Sequence, residues 1–133
     1  MMVLVDTSVL VGYLRGQASE AADTFDELQE RNVPWGISAF TYQEILQGSL
    51  NETEFKTVQE YLDTQSIYFL QGGRFSHTDA ALLFYKCRRA GFTIRSVIDC
   101  LIAQTAIEHN LRLLHQDRDF EAIAKVAPKL KLF

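Results

Sequence analysis

The chain has 133 residues and a mass of 15.2 kDa, the size of one ordinary domain. An apolar share of 47% and a charged share of 23%, with only 2 Pro and 7 Gly, exclude a disordered, collagen-like or linker-dominated chain. The net charge of −4 argues against an indiscriminate nucleic-acid binder, and no apolar run reaches the ~20 residues of a membrane helix.

Residues 2–5 form a short apolar run closed by Asp6, the pattern of a strand buried on both faces. Thr7 and Ser8 offer caps for a helix that runs to Leu14 and stops near Gly16, and Ser19 opens a second helix through Ala22, Phe25 and Leu28. Residues 33–38 read as a strand with Pro34 where ladder bonding is spared. A helix over 39–47 ends at Gly48, and Asn51 with Glu54 opens the next, through Val58, Tyr61 and Leu62. Residues 67–70 predict a third strand, 76–90 a helix stopped by Gly91, and 96–109 a helix stopped near Asn110. Residues 112–115 predict a fourth strand, 120–126 a last helix and 130–133 a final strand. Strands alternating with helices, with no repeat or linker, predict one α/β unit around a mainly parallel sheet.

In such a sheet, ligands collect at the carboxyl ends of the strands. Asp6 closes the first strand, Asp117 and Asp119 follow the fourth, and Asp99 lies in the first turn of a helix. Glu44 sits beside Ile45 and Leu46, where an unpaired carboxylate is costly to bury. Alone, each acid has a plain explanation as a cap, a dipole partner or a turn residue. Together they need a cation, because two carboxylates 4 Å apart repel by roughly 4 kcal/mol at an effective dielectric of 20. A set of hard oxygens without Cys or His selects Mg²⁺ or Mn²⁺ over Zn²⁺, and those ions chiefly serve phosphate chemistry.

Four segments carry a resemblance: Val3-Leu4-Val5-Asp6-Thr7-Ser8, Tyr42-Gln43-Glu44-Ile45-Leu46, Val97-Ile98-Asp99-Cys100-Leu101-Ile102-Ala103 and Leu113-Leu114-His115-Gln116-Asp117-Arg118-Asp119-Phe120. In order and spacing they resemble the PIN-domain ribonucleases, and the short chain resembles the VapC toxins of toxin–antitoxin pairs. The resemblance implies a single PIN domain over 1–133, a three-layer α/β/α sandwich. It implies that Asp6, Glu44 and Asp99 are metal-binding acids, with Asp117 at the usual fourth position and Asp119 at an alternative one. Ser8 matches a residue that organises the first Asp. The implied activity is Mg²⁺-dependent endoribonuclease cleavage, with Mn²⁺ as a substitute, leaving a 5′-phosphate and a 3′-hydroxyl. A nuclease of RNA maturation would share every acid, and a non-catalytic RNA- or protein-binding module is a third reading.

Charge is divided along the chain, net −8 over residues 1–64 and net +4 over 65–133. Residues 86–95 hold Lys86, Arg88, Arg89 and Arg95 and no acid. A solvated helix end explains the first three. The functional alternative is an RNA-backbone track that includes Arg74 and Arg118. His77, His109 and His115 lack metal-like spacing, Ser8 lacks a nucleophile elbow, and no D-x-D, P-loop or dinucleotide fingerprint is present.

Cys87 and Cys100 fit buried thiols of a reducing compartment, and the start 1–6 lacks a secretory signal, so a cytoplasmic protein is expected. The helices carrying Phe25, Leu28, Val58, Tyr61 and Leu62 are amphipathic, and 9 Phe with 5 Tyr is a generous aromatic supply. They either pack within the monomer or serve partners. The resemblance implies a homodimer, and an antitoxin segment in a groove lined by the early helices. The acidic first half suggests that this segment is basic.

Overall fold

A computed structural model describes residues 2–133. Five strands, β1 (Val3–Val5), β2 (Trp35–Ser38), β3 (Ser66–Tyr68), β4 (Arg112–Leu114) and β5 (Lys131–Leu132), make one sheet of order β3-β2-β1-β4-β5. Every pairing is parallel. The helices are α1 (Thr7–Leu14), α2 (Glu20–Glu30), α3 (Ala39–Gln47), α4 (Glu52–Leu62), α5 (Arg74–Arg89), α6 (Val97–Glu108) and α7 (Arg118–Val126). None is long and apolar enough to cross a membrane.

The period of 2 along β1 divides the core. Val3 and Val5 join Phe25, Leu28, Ile37 and Leu62 on one face, while Leu4 joins Leu83, Ile102, Phe120 and Ile123 on the other. The sheet is thus sandwiched between helices on both faces, the three-layer arrangement expected. Phe25, Leu28 and Leu62 are buried and Val58 and Tyr61 half-buried in the chain's own core. These five side chains pack mainly within the monomer.

Element boundaries differ from the sequence reading where backbone partners decide them. The cap of α1 is Asp6 rather than Thr7 or Ser8, because its carboxylate accepts the Ser8 N–H. Strand β2 begins at Trp35, and the Pro34 carbonyl accepts the Val3 N–H at 3.2 Å. Strand β3 is Ser66–Tyr68 rather than 67–70, since its partner β2 ends where Ser38 turns to cap α3. Phe69, outside the ladder, gives its carbonyl to the His109 ring at 2.8 Å. Helix α5 starts at Arg74 rather than Ser76, whose hydroxyl accepts the Gly72 N–H. Helix α7 starts at Arg118 rather than Phe120, with Asp117 as its cap. At Gly36 a β-carbon would stand 2.6 Å from the Ser66 carbonyl oxygen, so β2 and β3 approach only with glycine there.

Candidate active site

Strand β1 lies centrally, and the chain leaves it towards β2 on one side and receives β4 on the other. At such a reversal the connections diverge and leave a crevice at the carboxyl ends of the strands. Asp6 stands there, its N–H bonded to the Leu114 carbonyl at 2.9 Å, so the last residues of β1 and β4 position it together. Its Oδ2 accepts the Ser8 N–H at 3.1 Å and the Ser8 hydroxyl at 2.5 Å. Ser8 thus gives both of its donors to Asp6. Burial pushes the Asp6 carboxyl up, and the Ser8 donors oppose that shift.

Asp99 occupies the first turn of α6, behind the Ser96 cap. Its carboxyl is pushed up to about 7, first by burial and then by the negative charges of Asp6, Asp117, Asp119 and Glu44. The two candidates for the fourth acid both reach the site. Oxygens of Asp99, Asp117 and Asp119 lie within 4.8 Å of one another. Asp117 caps α7 by accepting the Asp119 N–H at 2.9 Å, and Asp119, almost fully buried, accepts the Arg95 N–H at 3.1 Å. The Asp117 N–H in turn bonds His115 Nδ1 at 3.2 Å, a structural role for that ring.

Glu44 stands at the edge of this group. Thr7 Oγ1 is 2.7 Å from Glu44 Oε1 and 3.0 Å from Thr41 Oγ1, which is 3.2 Å from Ser38 Oγ. An ionised carboxylate only accepts, so the Thr7 proton goes to Glu44, the Thr41 proton to Thr7 and the Ser38 proton to Thr41. This hydroxyl relay satisfies the half-buried Glu44. Sequence reasoning missed Thr7 and Thr41 as site residues, because 37 residues separate Thr7 from Glu44 and neither threonine belongs to a periodic pattern.

Of the candidate cations, Arg95 enters the acid group, with Nη2 3.4 Å from Asp117 Oδ1 and Nε 3.7 Å from Asp119 Oδ2. Arg118 opens α7 beside Asp117. Lys86, Arg88 and Arg89 form the last turn of α5, where they complement the helix dipole, and Arg88 lies 5.8 Å from the Phe84 ring centroid. Arg74 opens α5 next to Gly73, near Gln71, whose N–H bonds Glu108 at the end of α6 opposite Asp99. One continuous track through Arg74 and the acids is therefore not formed. Cys87 and Cys100 are buried, and burial pushes the Cys100 thiol up to about 12.

A carboxylate set without nitrogen or sulfur ligands suits a hard divalent cation. With five mutually repelling acids around it, the site is electrostatically incomplete on its own. A family model described as PIN domain matches residues 3–126. Ribonuclease VapC11 of Mycobacterium tuberculosis is 34% identical over 126 residues, covering 94% of this chain and 93% of that protein. Among solved structures, VapBC2 from Rickettsia felis, bound to a DNA fragment from the promoter, superposes with a TM-score of 0.75 at 19% identity, covering 100% of this chain and 98% of that one. VapBC-5 from Mycobacterium tuberculosis, a member of the VapBC family of toxin–antitoxin systems, gives 0.67 at 17% identity, covering 99% and 97%. The chain belongs to the PIN domain family, in its VapC branch.

Proposed function

We propose that this protein is a Mg²⁺-dependent endoribonuclease of the cytoplasm, the toxin of a toxin–antitoxin pair. The observation that carries the reading is the convergence of Asp99, Asp117 and Asp119 within 4.8 Å, next to buried Asp6, at the topological crevice. The name of the 34%-identical relative supports ribonuclease activity, and the toxin–antitoxin neighbours support the pairing with an antitoxin.

Asp6, Asp99, Asp117 and Asp119 would hold the ion, with Glu44 beside them. When bound, the ion supplies Lewis-acid charge for an attacking water and for the phosphate oxygens, and Mn²⁺ is the expected substitute. The protein's own groups do the positioning. Ser8 fixes the carboxylate of Asp6, and Thr7 fixes that of Glu44. Arg95 holds one positive charge against Asp117 and Asp119, where it would meet the phosphate backbone of a bound strand.

Purified protein incubated with total RNA is expected to give fragments with 5′-phosphate and 3′-hydroxyl ends when Mg²⁺ is present. EDTA or Asp6→Asn should abolish cleavage, with an unchanged circular dichroism spectrum. Cutting by the Asp6→Asn protein at the wild-type rate would refute the metal mechanism.

A further inference from the structure

A groove of about 390 Å³ lies beside the acid group, between the 92–95 loop and α7. Phe92, Arg95, Arg118, Asp119, Glu121 and Lys125 line it, so it shares Asp119 and Arg95 with the site. Arg95 is engaged by Asp117 and Asp119, whereas Arg118 and Lys125 form no ion pair among the described residues. Two cations without an ion pair thus face the single further acid Glu121. Phe92 is held firmly: it follows Gly91 at φ +87°, its N–H bonds the Cys87 carbonyl at 2.9 Å, and its ring packs on the core. Lys125 Nζ sits 5.4 Å from the centroid of that ring.

A fixed aromatic ring with exposed cations around it is the equipment for gripping a single nucleic-acid strand. The volume falls at the small-ligand end of the pocket range, which suits one nucleotide. A strand cut at the acids must continue past them, and of the two grooves that adjoin them this one has more cations than acids, whereas the groove over Asp117 sets Glu20, Asp117 and Glu121 against Arg118 alone. We propose that the groove seats one nucleotide flanking the scissile phosphate, with its base on Phe92 and its phosphate on Arg118 and Lys125. The inference rests on the ribonuclease reading above and names where the substrate strand lies. The exposed Lys125 stem exchanges the ring for the phosphate when the base stacks.

The test is fluorescence anisotropy of a short single-stranded oligoribonucleotide bound to the full chain in EDTA over a range of salt. All proteins carry Asp99→Asn so that no strand is cut. Removing both cations with Arg118→Gln and Lys125→Gln should weaken binding at least tenfold. It should also flatten the slope of log affinity against log salt by about 0.7, the value for the one phosphate the two cations neutralise. Phe92→Leu should weaken binding about tenfold and leave the slope unchanged. Lys129→Gln with Lys131→Gln, an equal charge change outside the groove, should do neither. The proposal is overturned if the groove pair binds like its parent, if the control pair loses as much, or if poly-glutamate displaces the oligonucleotide at equal charge. Melting curves show whether Phe92→Leu folds, and the exposed cations carry the test if it does not. Groove-dependent binding in a protein that shows no metal-dependent cleavage would sink the ribonuclease reading and leave the groove standing; the converse would sink the groove alone.

Discussion

Asp99 is a residue whose charge the metal-free fold tolerates poorly. Its pKa is raised from an ordinary 3.8 to about 7, so the folded state binds a proton that the unfolded state releases between those values. The resulting stability is fully present below about pH 4 and is lost as pH rises through about 7. The loss is on the order of a few kcal/mol, reduced by the partial solvent access of the carboxyl. Melting temperatures of metal-free protein should therefore fall from pH 5 to pH 8, and Asp99→Asn should flatten that slope while ending cleavage. An unaltered slope in the variant would locate the pH dependence elsewhere. The individual acids were legible in the sequence because Asp6, Asp99, Asp117 and Asp119 end a strand or open a helix, and because Glu44 interrupts an apolar stretch inside one. Their partners were not. Arg95 reads as one more cation in a basic run, and only the fold brings it across 22 residues to Asp117.

Helix caps show how an element's stability and the site's geometry become coupled. Ser38 caps α3 by accepting the Thr41 N–H at 3.0 Å, and its hydroxyl heads the relay to Glu44. Asn51 caps α4 by accepting the Glu54 N–H at 2.8 Å, on an exposed turn with no link to the acids. Ser38→Ala and Asn51→Ala should each cost about 1 kcal/mol by urea denaturation, with Ser38→Ala the larger because its orphaned donor is buried. Only Ser38→Ala should slow cleavage. Equal activity in both would show that the relay does not position Glu44. The helices were legible because caps and stops are local, as at Ser19, Asn51 and Gly91. The limits of β3 were not, because the length of a parallel ladder depends on where its neighbour turns away. The sequence near residue 70 carries no mark of Ser38.

For the whole molecule, the uneven charge along the chain has a surface expression. Helix α2 carries Glu20, Asp23, Asp26, Glu27 and Glu30, while Ala22, Phe25 and Leu28 face inward. An antitoxin segment docking on the early helices should be basic, and its affinity should fall as salt rises. Titration calorimetry at two salt concentrations would decide; a salt-insensitive complex would assign the affinity to apolar contacts. Exposed Leu14, Leu50, Phe55, Phe75, Leu82, Tyr85 and Val97 leave apolar surface beyond the monomer's own core. A dimer is the expected state by light scattering, and a monomer at every concentration would contradict it.

The pairing of β1 with β4 also sets a schedule. Asp6 is made more than 100 residues before its neighbours Leu114, Asp117 and Asp119. At synthesis rates of about 5–20 residues per second, a nascent chain spends on the order of ten seconds with only part of its acids. Until then the acid group is incomplete. Hydrolytic capacity arrives only when the last third of the chain closes the sheet, which leaves an interval in which an inhibitor already present can meet the early helices first.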